Sequence, residues 1–106
     1  MKLLTKELEA RFAEVGSQSE KTAEETQVVA KFFNPTGRGY WFATEYEPSE
    51  KMFFGYVSLF GDYNDELGYF SLEELESVRG QFGLGIERDL HFTETTLQEI
   101  INKYTK

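Results

Sequence analysis

The chain predicts an α+β domain: an antiparallel sheet of four to five strands, arranged as a meander and packed against two or three helices. Three observations carry that prediction. Between Val28 and Phe70 apolar residues recur with a period of two, interrupted by short clusters of turn residues. On either side the period lengthens to that of a helix, first at Leu8 and Phe12, then at Leu97, Ile100, Ile101 and Tyr104. Between sheet and last helix, Ser71 and Glu74 stand three apart in "SLEELESV", the capping-box spacing that opens a helix.

Taken in order, Thr5 caps a first helix over residues 6–13, and Gly16 ends it. Residues 16–27, "GSQSEKTAEETQ", hold no aliphatic or aromatic side chain beyond Ala23 and show no alternation. They are expected to form a mobile surface loop. Four strands follow: "VVAKFF" (28–33), "YWFATEY" (40–46), "MFFGYVSLF" (52–60) and the short "LGYF" (67–70). The turns are "NPTGRG" (34–39), where Pro35 fixes φ, "EPSEK" (47–51) and "GDYNDE" (61–66), and connectors this short favour antiparallel neighbours.

In the second strand alternation sets Tyr40, Phe42, Thr44 and Tyr46 on one face, and Trp41, Ala43 and Glu45 on the other. In the third, Phe53, Gly55, Val57 and Leu59 oppose Met52, Phe54, Tyr56 and Ser58, so neither face is polar. That pattern predicts a sheet covered on one side and partly covered, or functionally exposed, on the other. The capping-box helix buries Leu72 and Leu75 and closes at Gly80, with Arg79 as its last-turn cation. "QFGLGIERDLHF" then runs extended, with a fifth strand at 86–92 in which Ile86, Arg88, Leu90 and Phe92 alternate with Glu87, Asp89 and His91. Thr95, with Gln98 three residues on, caps a final helix over residues 96–104.

At 106 residues the chain is expected to form one domain, 1–106. Ten Phe, six Tyr and one Trp supply its core, since each buried ring removes about 150–250 Å² from water. There is no cysteine, which excludes disulfides, thiolate catalysis and cysteine-ligated zinc or iron–sulfur sites. Charges at Lys6, Glu7 and Glu9 break the apolar core that a signal peptide would need, and no apolar run approaches the roughly 20 residues of a spanning helix. A cytoplasmic protein with no membrane partner is expected. Nineteen acidic against eleven basic residues give a formal charge of −8, a field that repels phosphate and argues against direct nucleic-acid binding. The acids are spread evenly along the chain, as on a solvated surface. The sharper alternative is a deliberate negative face, such as a DNA mimic would present.

The candidate chemistry is sparse. Gly80, Gly83 and Gly85 lack the lysine of a P-loop and the spacing of a dinucleotide fingerprint. His91 titrates nearest neutrality, with Glu87 or Asp89 to orient it, but no nucleophile motif accompanies it; a half-buried structural imidazole is expected. One histidine without cysteine argues against a metal, and the acids Glu45/Glu47 and Asp62/Asp65/Glu66 sit in or beside turns, where solvated carboxylates are ordinary. No cofactor and no catalytic residue is assigned, and the pattern leans away from an enzyme. Arg88, sharing a face with Ile86, Leu90 and Phe92, reads either as a buried fork that fixes the chain path or as a recognition arginine for an anion. Tyr40, Trp41, Phe42, Tyr46, Tyr56 and Tyr69 pack on the sheet, and any on an uncovered face is an interface anchor. The residues singled out for binding are Arg88, His91, Glu87, Asp89, Tyr56 and Trp41.

Several blocks in order, "LLTKELEARF", "AKFFNPTGRGYWFATEYEP" (30–48), "FFGYV" (53–57), "ELGYFSLEELESVRGQFGLGIERDLHF" (66–92) and "TETTLQEI", resemble a family of small bacterial proteins of unknown function, DUF2958. The resemblance covers most of the chain. It implies a bacterial, cytoplasmic accessory protein of conjugative transposons and plasmids, and it implies no cofactor, substrate or catalytic residue. Three readings follow: a non-enzymatic module with a protein partner, a small enzyme or ligand binder centred on Arg88 and His91, or an acidic decoy for a DNA-binding protein. Oligomeric state stays open, although an uncovered strand edge would let two copies pair.

Overall fold

The computed structural model describes residues 2–59 and 65–105, so the expected strand end at Phe60 and the turn at 61–64, with Asp62, lie outside the described residues. Thr5 opens α1 (Lys6–Val15), its hydroxyl oxygen accepting the Leu8 N–H at 3.2 Å. The helix runs two residues past the predicted end before Gly16, at φ 72°, breaks it.

The single strand predicted at 28–33 is two. β1 (Gln27–Val28) pairs with β7 (Thr95–Thr96), whereas β2 (Ala30–Phe33) joins the main sheet. The chain changes partners at Val29, whose N–H reaches the Ala43 carbonyl at 2.9 Å. β3 (Tyr40–Glu47), β4 (Met52–Ser58), β5 (Glu66–Ser71) and β6 (Glu87–Arg88) complete a five-stranded antiparallel sheet in the order β5-β4-β3-β2-β6. β2 to β5 form the expected meander. After α2 (Leu72–Ser77) the chain returns to lay β6 beside β2, and α3 (Leu97–Tyr104) ends the fold.

Helices cover both faces of the sheet centre, and the side expected to be partly covered is open at one end. α1 and α2 enclose Phe12, Phe32, Phe53, Phe70, Leu75 and Ile86 on one face. On the other, α3 places Leu97 and Ile100 against Val28, Phe42 and Tyr56. Only the β4–β5 end of this second face lies beyond the reach of α3.

Two helix ends also move. α2 stops at Ser77, three residues before Gly80, because Val78 turns extended (ψ 132°) to pack on the core. Arg79 still serves the helix end, donating from Nη1 to the Glu76 and Val78 carbonyls at 2.7 and 2.8 Å. α3 is capped by Thr96 rather than Thr95, with the Glu99 N–H at 3.2 Å from the Thr96 hydroxyl. Thr95 is taken up by β7, and its hydroxyl donates to the Glu99 carboxylate.

A β-bulge at Thr44 reorganises β3. Ala43 pairs with Gly55 but Glu45 with Phe54, leaving Thr44 as the extra residue. An added residue inverts the parity beyond it. Tyr46, predicted on the Phe42 face, therefore sits on the α1 face, 6.1 Å from the Phe12 ring and 4.8 Å from the Phe53 ring. Glu45 moves to the α3 side.

Gln18 holds the bulge. Its buried amide donates to the Gln27 and Thr44 carbonyls at 2.8 and 2.7 Å, and its oxygen accepts the Gln27 N–H at 2.7 Å. Thr26, bonded to the Thr22 carbonyl, secures the far end of the 16–27 segment. Gln18→Ala strands a backbone donor and two acceptors, each costing about 1–3 kcal/mol where water cannot replace the partner. A stability loss of about 2–4 kcal/mol in urea unfolding is expected, with faster amide exchange across 16–27 than across α3.

Candidate functional site

The charged cluster predicted around Arg88 is divided by the fold. Arg88 sits opposite Phe32 on β6, with Nη1 3.5 Å from the Leu3 carbonyl, towards the α1 side. Glu87, opposite Phe33, lines a separate cleft with Leu3, Arg79 and Leu84. The strand then ends. The Asp89 N–H reaches the Lys31 carbonyl at 2.9 Å, the Asp89 side chain accepts the His91 N–H at 2.9 Å, and the Phe92 N–H turns back to the Asp89 carbonyl at 3.3 Å.

That turn breaks the alternation predicted over 86–92. Phe92 swings to the α3 face, its ring 6.4 Å from Phe42, while Ile86 stays in the α1–α2 core and Leu90 is 64% exposed. Phe92 packs on the α3-side cluster, although it lines one cleft with Arg88, Asp89 and Leu90, and His91 is exposed rather than half-buried. His91 and Asp89 line a cleft of about 390 Å³ with Lys31 and Tyr104. There the Lys31 ammonium lies 3.4 Å from the Asp89 carboxylate and 3.2 Å from the Tyr104 hydroxyl, over the Tyr40 ring. Burial pulls the Lys31 pKa down, but Tyr104 and Asp89 outweigh it and the net direction is up.

Of the two further predicted binding residues, one lies inside the protein and the other is partly covered. Tyr56 is 3% exposed, its hydroxyl bonded to that of Thr105, and burial pushes its pKa up. Trp41 is half-buried against the α1–α2 core.

The open aromatic surface lies instead where β5 outruns α3. Phe54 pairs with Tyr69 and Tyr56 with Leu67, so Phe54, Leu67 and Tyr69 share the α3-side face. Leu97 and Ile101 of α3 stop short of β5, and the pinned 16–27 segment supplies Ala23 as the opposite wall. Together these six residues other than Tyr56 line an apolar cleft of about 360 Å³. Leu67 is 48% exposed and Tyr69 75% exposed, its ring edge-on to Phe54 at 4.9 Å. A second cleft, of about 250 Å³, shares Glu45, Phe54 and Tyr69 and adds Glu47 and Glu50. The Ser49 hydroxyl and amide hold the Glu47 pKa below the usual carboxylate range.

Sequence reasoning named Tyr69 among the sheet rings but missed the cleft. Its wall is a segment of loop-like composition, and Leu67 and Tyr69 at alternate positions of the last meander strand were the available signal. A third exposed apolar feature is Phe82, 92% exposed and at φ 60° in the turn Gln81–Gly83.

One ion pair joins α1 to the segment before β7. Arg11 on α1 grips Glu94 through Nε and Nη2 at 2.9 and 2.8 Å, and Gln27 Nε2 adds a bond at 3.1 Å. These bonds, Arg11 foremost, lower the Glu94 pKa. With the folded value below the unfolded one, the carboxylate's contribution is complete above the ordinary range and is lost as pH falls through the folded value. Glu94→Gln is therefore expected to be less stable than wild type near neutrality, by under about 1 kcal/mol for so accessible a pair, with the gap closing in acid. Thermal unfolding of both proteins across pH reads this directly.

Among the described residues, no group of three or more His, Cys, Asp or Glu side chains is placed to hold a metal ion, and no helix is long and apolar enough to cross a membrane. No curated protein and no solved structure matches the chain. The family model described as protein of unknown function (DUF2958) matches residues 3–105, nearly the whole chain, and the protein belongs to that family.

Proposed function

We propose that this is a single-domain, non-enzymatic interaction module, a cytoplasmic accessory protein of a bacterial mobile genetic element that binds a protein partner through the uncovered end of its sheet. The carrying observation is the pair Leu67 and Tyr69, exposed beside an apolar cleft on the terminal strand of the sheet. Large exposed apolar side chains grouped at a cleft and rimmed by charge mark partner surfaces, whereas single scattered ones do not. The family resemblance supports the mobile-element context.

The test is capture of host proteins by tagged wild type, by a Leu67→Lys/Tyr69→Ala double variant, and by Arg88→Ala and His91→Ala, each verified as folded. A partner kept by the last two and lost by the double variant supports the reading. A partner lost with Arg88→Ala or His91→Ala but kept by the double variant moves the site to the 87–91 surface. A DNA-binding protein held equally by every variant and released by salt favours the acidic decoy.

A second reading has one observation behind it. Lys31, Asp89, His91 and Tyr104 converge on one cleft, as a small-ligand site requires. A small molecule that stabilises wild type but not His91→Ala, in a thermal-shift screen of metabolites, would favour it.

A further inference from the structure

We propose that the partner contacts this domain as an added β-strand, an extended segment with basic ends and an apolar centre that pairs with the outer edge of β5. This deepens the interaction reading above and rests on it.

Among the described residues β5 is terminal in the sheet, and all six of its residues pair with β4 without a register shift. A regular strand of this length presents on its free side an unpaired row of backbone N–H and C=O groups. Proteins usually protect such an edge with lysine, proline, a bulge or a covering element. β5 has no proline, no lysine and no bulge, and it carries Leu67 and Tyr69 exposed on one face.

Its other face has room as well. A Cβ built at Gly68 meets nothing within 4 Å, although Phe70, two residues on, is buried. A side chain of an added strand can lie over Gly68, as aromatic residues do over glycines in neighbouring strands.

Charge selects the occupant. Glu66 opens β5 beside Asp65, whose carboxylate accepts the Ser58 hydroxyl at 2.7 Å, and Glu73 and Glu74 follow the other end, at the start of α2. Glu45, Glu47 and Glu50 rim the adjoining cleft. A second copy is the obvious competitor. Antiparallel self-pairing about Gly68 sets the Asp65 and Glu66 end of each copy beside the Glu73 and Glu74 end of the other, and like charges there repel. The same carboxylates attract a segment with lysine or arginine at its ends. Backbone pairing supplies affinity in this mode and the alternate side chains supply selectivity.

The experiment uses the full chain and synthetic peptides of roughly ten residues, a strand with short flanks, read by fluorescence anisotropy. Each has a Val-Phe-Val centre, flanked by lysines, glutamates or serines; a fourth is the lysine peptide N-methylated at alternate residues, which removes the donors that face β5. The lysine peptide is expected to bind, at least tenfold tighter than the glutamate one, and to weaken about tenfold between low and high salt. N-methylation should abolish binding. Gly68→Val, for which there is space, should keep the fold and weaken the peptide about tenfold.

Equal binding of lysine and glutamate peptides, tolerance of N-methylation, or no binding by any peptide overturns the proposal. If no peptide binds while Leu67→Lys/Tyr69→Ala still abolishes partner capture, strand addition alone is wrong. If the double variant leaves capture intact, the underlying interaction reading fails with it. Sedimentation of the protein alone should show a monomer, and a dimer broken by Leu67→Lys would assign the edge to a second copy instead.

Discussion

Phe53→Ala is expected to lower stability by about 3–5 kcal/mol. Phe53 has no solvent exposure and joins four rings, with centroids at 4.8 Å to Tyr46, 5.3 Å to Phe32, 5.4 Å to Phe70 and 5.8 Å to Phe12. Those neighbours come from α1, β2, β3 and β5, so no single element can collapse into the vacated space. The cost then combines lost transfer energy with an unfilled cavity. Set against the roughly 5–15 kcal/mol that separates folded from unfolded small domains, the loss consumes a large share. Denaturant unfolding should show a lower midpoint at unchanged slope, and Leu59→Ala, an exposed site, should stay within about 0.5 kcal/mol of wild type. A loss under about 1 kcal/mol for Phe53→Ala would mean that the α1–α2 face is not one packed core.

Tyr69→Ala should separate binding from folding. Its ring is mostly in solvent and touches Phe54 edge-on, so truncation is expected to cost less than about 1.5 kcal/mol of stability. Partner affinity should fall about 30–100-fold, the 2–3 kcal/mol typical of an aromatic anchor at an interface. Leu67→Lys should cost at least as much for a basic partner, because it adds a repelling charge where an apolar contact stood. Isothermal titration with the captured partner measures both. Tyr56→Ala gives the contrast: with its ring buried and its hydroxyl bonded to Thr105, it should lose stability first and binding only as a consequence.

The sheet was legible because alternation and turn chemistry agree from Val28 to Phe70. The helices were legible because Thr5, Ser71 and the Leu97/Ile100/Ile101/Tyr104 stripe each carry a local signal. What escaped is non-local. Nothing in "YWFATEY" announces that Thr44 is an extra residue, since the bulge is stabilised by Gln18 from a distant segment and by the Phe54 carbonyl. One bulge then moved Tyr46 and Glu45 to opposite faces from those predicted. Likewise the apolar alternation of 86–92 resembles a strand, but Asp89 side-chain bonding to the His91 N–H offers the backbone a turn instead. The candidate site was not legible for the same reason: Tyr69 was named only among the sheet rings, none of the six residues singled out for binding lines the cleft, and the end of α3 and the wall at Ala23 depend on packing.

The most direct test of the central claim is amide hydrogen exchange on the domain, alone and saturated with the captured partner. Added protection across residues 66–71, together with slowed exchange at 97–101, is the expected result. Protection confined to residues 86–92, with β5 exchanging as it does in the free protein, would contradict it.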